Sequence, residues 1–163
     1  MSDVGLMNRV GTHAEVPFHS LKEGADLFAV AVETFVDDAM ILDLTNAEAV
    51  GGVTLEQTQT AAERAGGIRK GDMAFGQMGN TCYFATATLD WLVEQGIKLM
   101  GVDLGGVDLS YDETRANINY LVLFRAGIPL IENLDNLDQL TQRRVLIHTL
   151  PVPVNGLDAF PLA

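Results

Sequence analysis

The 163-residue chain is short of three things: cysteine, basic residues and long apolar runs. Its single cysteine, Cys82, has no intrachain partner, which excludes a disulfide framework and a paired redox motif. Ten Lys and Arg stand against 22 Asp and Glu, a formal charge of -12, and no basic run offsets it. Phosphate backbones and anionic bilayers would be repelled, so neither nucleic acid nor membrane is an expected partner. No segment reaches the roughly 20 apolar residues that a bilayer crossing requires. The N-terminus has neither the basic start nor the apolar core of a signal peptide, so the cytoplasm is the expected compartment. GNTC (79–82) and AGG (65–67) lack the spacing of phosphate-binding glycine loops.

What is present suffices for one substantial core, since 48% of the residues are hydrophobic. A single domain spanning 1–163 is expected. AMILDL, from Ala39, has the composition of a buried strand, and VTLEQTQTAAERAGG after it reads as a helix with Thr54 and Gln57 in capping-box spacing. GDMAFGQMG, from Gly71, reads as a second strand. ATATLDWLVEQG, from Ala85, reads as a helix with Leu89, Leu92 and Val93 on its apolar face and Gly96 at its end. IKLMGVDL then runs as a strand to Asp103, and this helix-to-strand passage predicts an α/β fold. TRANINYLVLFRAG forms a further helix that brings Asn117, Tyr120 and Phe124 near one face. PLIENL presents Glu132 from a short extended segment, and RRVLIHTLPVPVNGLDAF supplies a final strand with a proline-punctuated tail.

The densest polar group lies in NRVGTHAEVPFHS, which holds two of the three histidines. If extended, this segment places Arg9, Gly11, His13 and Glu15 on one face, because strand side chains alternate. Imidazole and carboxylate suit Zn, Mn or Fe, but His13 and Glu15 alone do not complete a site. Pro17 turns the chain so that His19 can approach from another direction as a proton acceptor. An ordinary polar strand and turn, with Arg9 compensating Glu15, accounts for the same residues. Such a strand, so near the start of the chain, would also form an exposed edge.

The other polar residues have ordinary structural readings. His148 sits among apolar neighbours as a hydrogen-bonded strand residue, Cys82 as a small buried hydrophobe, and Trp91 as helix packing. Asp103, Asp108, Asp112 and Glu113 read as a solvated loop, with Asp103 notable for ending an apolar strand. Glu132 divides between helix-start electrostatics and a site.

GTHAEVPFH, GDMAFGQMG, LDWLVEQGIKLMGVD, LFRAGIPLIENL and LPVPVNGLDAFP, in that order, resemble the metal-dependent cyclase family, which includes bacterial kynurenine formamidases and isatin hydrolases. The family signature is His-x-Gly-Thr-His-x-Asp-x-Pro-x-His. The resemblance implies a swivelling β/β/α fold, homo-oligomeric assembly, and Zn or Mn that activates water for hydrolysis. It implies His13, Glu15 and Glu132 as metal ligands and His19 as acid/base.

Three departures qualify it. Arg9 replaces the first signature histidine, Glu15 lengthens the aspartate, and Tyr120 replaces a histidine preceding the glutamate. The chain also starts almost at the signature, as an N-terminally shortened member or an incomplete chain would. The expected function is metal-assisted hydrolysis of a small amide, lactam or related carbonyl compound, with Arg9 neutralising a substrate carboxylate or oxyanion and Tyr120 orienting the substrate. Two alternatives stay open. One is a metal-poor, noncatalytic protein that binds small anions or serves assembly. The other is a metal-independent lyase, isomerase or dehalogenase using His19, Tyr120 and Arg9.

Overall fold

In the computed structural model, which describes residues 3, 5–47, 52–79, 83–108 and 118–162, the apolar runs of the chain become adjacent strands. In chain order the elements are β1 (His13–Glu15), β2 (Val36–Asp43), α1 (Leu55–Arg64), β3 (Met73–Gln77), α2 (Thr86–Gln95), β4 (Leu99–Val102), α3 (Ile118–Arg125), β5 (Leu130–Glu132), β6 (Arg144–His148) and β7 (Ala159–Pro161). Cys82, Asp112, Glu113 and Asn117 lie outside the described residues. The capping box forms as the spacing predicts: Gln57 N–H donates to Thr54 Oγ1 at 3.3 Å, and Thr54 N–H donates to Gln57 Oε1 at 2.8 Å. Gly96, in the left-handed conformation, ends α2.

The strands build one mixed sheet in the order β6-β2-β3-β4-β5-β1-β7. Neighbours from β2 to β5 run parallel, while β6 joins β2, and β1 joins both β5 and β7, in antiparallel pairing. Alternation along β2 sends Met40 and Leu42 to a core shared with Ala61, Ala62, Leu89, Leu92, Leu123 and Phe124 of the three helices. Ala39 and Ile41 enter a second core, closed by Leu27 from a turn and by Phe35 and Leu137 from short 3₁₀ helices. Trp91 packs half-buried against the helix-side core, as expected of a helix residue. This is the α/β architecture that the helix-to-strand passage predicts.

Three expectations change. The N-terminal strand is not an edge, because β5 and β7 flank β1 on both sides. It is also shorter than NRVGTHAEV: Gly11, at φ 64, breaks the extension before His13, and Arg9 stays exposed outside the strand. The C-terminal segment supplies two strands, on opposite edges of the sheet, and His148 is exposed at the end of β6 rather than held among apolar neighbours. The flanking of β1 and the division of the C-terminal segment share a cause. Pairing between segments more than a hundred residues apart leaves no trace in local hydrophobic period.

Edge strand β6 is tied down by charge. Arg144 donates to Asp72 through Nη1 at 3.1 Å and Nη2 at 2.8 Å, and to the Gly67 carbonyl at 2.5 Å. Burial alone would raise the Asp72 pKa, but the Arg144 guanidinium and the Arg69 N–H hold it below the usual carboxylate range. Its contribution to stability is therefore complete above the unfolded-state value, about 3.9, and is lost as pH falls through the lower folded-state value. Arg144→Met is expected to lower the unfolding free energy at neutral pH by about 1–3 kcal/mol. It should also flatten the acid limb of the stability curve, measured by urea denaturation across pH; an unchanged midpoint and acid limb would contradict this role.

Candidate metal centre

The antiparallel register sets His13 directly opposite Glu132 and Glu15 opposite Leu130. Residues opposite one another project to the same face, and so do residues two apart in a strand. Ala14 and Ile131 point into the second core, which leaves His13, Glu15 and Glu132 together on the helix side. All three are buried, at 2%, 2% and 4% relative exposure. One ligand atom from each lies within 4.8 Å of the other two.

His13 is oriented by its own backbone. Nδ1 lies 2.9 Å from the Gly11 carbonyl, which only accepts, so Nδ1 carries the proton. Nε2 then faces Glu15 Oε1 at 3.4 Å and Glu132 Oε2 at 3.5 Å, distances longer than a good N–H···O bond. His13 Nε2 and Glu15 Oε2 are buried without a hydrogen-bond partner. Two buried carboxylates also repel. Burial first, and then the charge of Glu15, push Glu132 up to about 7, against the hydrogen bond from Tyr120 and the charges of His13 and His19. Burial opposes charge on His13 as well, yet the contact with Glu15, the Gly11 carbonyl and both carboxylate charges raise its pKa.

An imidazole nitrogen and two carboxylates are hard-to-borderline donors suited to Zn or Mn. Unpartnered buried atoms and a local excess of negative charge are what a divalent cation would satisfy. The residues therefore fit the ion that the resemblance implies.

Around this cluster the chain sets a second group. Pro17 opens a 3₁₀ turn, Pro17–His19, which swings His19 back until its Nε2 is 3.8 Å from Glu15 Oε2. Its Nδ1 meets Asp158 Oδ2 at 3.0 Å, and Asn8 Nδ2 donates to the other Asp158 oxygen at 2.7 Å. Asp158 is held in ionised form: burial would raise its pKa, but the His19 hydrogen bond, a backbone N–H and the charges of His19 and Arg9 outweigh it. Tyr120 and Phe124 wall His19, with ring centroids 5.8 and 6.0 Å away. The Tyr120 hydroxyl donates to Glu132 Oε1.

A cleft of about 310 Å³ opens onto the cluster, lined by Met7, Asn8, Arg9, His13, Glu15, Gly105, Glu132 and Asn133. A larger hollow of about 580 Å³ lies between the Pro17–Ala25 segment and the end of α3, but its lining includes none of the three donors. The smaller cleft is therefore the candidate site.

Of the residues singled out in the sequence, His13, Glu15, His19, Tyr120 and Glu132 converge, while Arg9 stands exposed at the cleft mouth. No Arg9–Glu15 ion pair forms among the described residues. Asp103 accepts the Met78 N–H at 2.9 Å and Asp108 accepts two N–H groups at the start of α3, so both have structural work away from the cluster. Residue-by-residue reading missed Asp158, Asn8 and Asn133. The only signal for Asp158 was its place in LPVPVNGLDAFP, a segment carried by the family resemblance and not by any local pattern of ligands.

Known proteins resemble the chain in sequence and in fold. Residues 2–109 match a family model described as putative cyclase. A kynurenine formamidase from Bacillus thuringiensis (strain Al Hakam) is 28% identical over 159 residues, covering 93% of this chain and 72% of that protein. Isatin hydrolase A from Labrenzia aggregata, bound to benzyl benzoate, superposes with a TM-score of 0.86 at 18% identity, covering 98% of this chain and 73% of that one. A potential metal-dependent hydrolase with cyclase activity gives 0.82 at 21% identity, with 97% and 78% covered. The α/β fold is therefore the cyclase-like one.

Because a bound ion stabilises only the folded state, saturating Zn or Mn at about 100 times its dissociation constant should add about 2.7 kcal/mol. This corresponds to a rise in melting temperature of roughly 5–10 °C for a chain of this size. Differential scanning fluorimetry of metal-free protein should show the rise, and His13→Ala should lose most of it. An equal rise in both proteins would place the ion elsewhere.

Proposed function

The chain belongs to the cyclase family, and from that premise we propose that it is a metal-assisted hydrolase of a small amide, lactam or related carbonyl compound. The observation that carries this reading is the buried, incompletely partnered set of His13, Glu15 and Glu132 beside a histidine held by a carboxylate. The formamidase among the relatives supports an amide carbonyl as the reacting group. The volume of the cleft, about 310 Å³, supports a small molecule.

His13 through Nε2, Glu15 and Glu132 would hold the ion, Zn or Mn. When bound, such an ion supplies Lewis acidity, polarising a carbonyl and making water a competent nucleophile at neutral pH. The protein side of the reaction falls to the second group. His19 Nε2 takes a proton from water as the water oxygen attacks the carbonyl carbon, and returns it to the leaving nitrogen as the C–N bond breaks. Asp158 accepts a hydrogen bond from Nδ1–H, fixing the tautomer that leaves Nε2 basic, and stabilises the imidazolium between the two transfers. Tyr120 and Phe124 limit water around the ring. Arg9, at the mouth, pairs with a substrate carboxylate or a developing oxyanion. An Arg9–Glu15 pair filling the cleft would support the noncatalytic alternative, and the exposed position of Arg9 favours the catalytic reading.

Metal-loaded protein should hydrolyse at least one member of a panel of N-formyl arylamines, lactams and lactones. His19→Ala should lower kcat by about 10²–10⁴-fold, with a smaller loss for Asp158→Ala. Absence of His19-dependent turnover across the whole panel would defeat the hydrolase assignment.

A further inference from the structure

We propose that Tyr120 acts as a clamp on Glu132, fixing one carboxylate oxygen through its hydroxyl in a site that takes a single divalent cation. This inference rests on the metal-site reading above and extends it to the number of ions and the role of the phenol.

Glu132 uses its two oxygens differently. Oε2 faces His13 Nε2 at 3.5 Å, while Oε1 accepts the Tyr120 hydroxyl. Hydrogen bonds from a neutral donor to a carboxylate are stronger than neutral pairs, so this contact fixes the rotation of the carboxylate. The phenol is itself positioned from several sides. Its ring centroid is 5.8 Å from that of His19 and 5.8 Å from that of Phe124.

Gly106 closes the remaining side. A Cβ there would stand 2.9 Å from the Tyr120 hydroxyl and 3.8 Å from Glu132 Oε1, and the glycine has φ 154, a conformation that residues with side chains rarely adopt. The loop thus leaves room for a phenol oxygen beside Oε1 and little for anything larger.

Charge leads to the same limit. Among the described residues, the cluster offers two carboxylates and one imidazole as ligands. One divalent cation is neutralised by Glu15 and Glu132, whereas a second would bring two uncompensated charges into a buried site, at a large desolvation cost. Asp158 cannot serve as the extra anion without releasing His19 and Asn8. Tyr120 is therefore a positioning residue: it acts on the ion through Glu132 and keeps its proton.

The test is titration of metal-free protein with Mn²⁺ and with Zn²⁺, counting ions per chain and recording the ultraviolet difference spectrum. The expected result is one ion per chain, with no tyrosinate band on binding. Tyr120→Phe should still bind one ion but with affinity weakened by about 10–100-fold, the usual effect of losing a partner that orients a ligand. Gly106→Ala, which crowds the hydroxyl, should weaken binding in the same direction. Two ions per chain, a tyrosinate band on metal addition, or unaltered affinity in Tyr120→Phe would each overturn the clamp while leaving a metal site in place. Failure of the wild-type protein to bind either ion would overturn the clamp and the metal-assisted hydrolase reading together.

Discussion

The short antiparallel pairing of β1 with β5 is the constraint on which the rest of the site depends. It sets His13 opposite Glu132, and strand alternation adds Glu15 to the same face. A slip of one residue would turn all the donors of β1 into the apolar second core and bring Ala14 to the site. The register is secured by that apolar core: Ala14, Ile131 and Val16 are buried within it. Flanking strand β7 then fixes β1 from its other side. An arrangement with the electrostatic cost of adjacent buried carboxylates is maintained by packing on the reverse face of the same sheet.

From this base the chemistry divides into two layers with different origins. The donor set comes from β5 and β1, the two strands next to the β7 edge of the sheet. The proton-handling set is assembled from the ends of the chain: Asn8 before the sheet, His19 on the turn after β1, and Asp158 just before β7. Pairing of β1 with β7 brings the last of these within reach, since the Val16 N–H donates to the Asp158 carbonyl at 3.0 Å. The same strand thus orients the ligands through one neighbour and the candidate base through the other.

Much of the scaffold was legible in the sequence because its signals are local. The capping box at Thr54 and Gln57, the terminating Gly96, and the apolar runs of β2, β3 and β4 each depend on residues a few positions apart. Of the site, His13, Glu15 and His19 were legible from one short segment, Glu132 from its place after an apolar run and from a resemblance that spans the chain, and Tyr120 from that resemblance. The Asp158 partner of His19 was not, because a carboxylate 139 residues away carries no periodic mark. Arg9 shows the converse failure. Its spacing from His13 suggested a shared strand face, but Gly11 turns the backbone at φ 64 and sends the side chain to the cleft mouth. The change from histidine to Tyr120, a departure from the family pattern in the sequence, gains a physical reading beside Glu132 and Gly106.

The central claim is that the β1–β5 register builds a cation site from one imidazole and two carboxylates. X-ray absorption on zinc-loaded protein tests it most directly, since the fine structure reports the ligand atoms themselves. The account predicts a shell of oxygen with a single imidazole nitrogen at about 2.0–2.1 Å, lost in His13→Ala, and no metal–metal scattering near the roughly 3.5–4 Å of two-ion sites. A shell with two imidazoles, a metal–metal vector, or a spectrum indifferent to His13→Ala would contradict it.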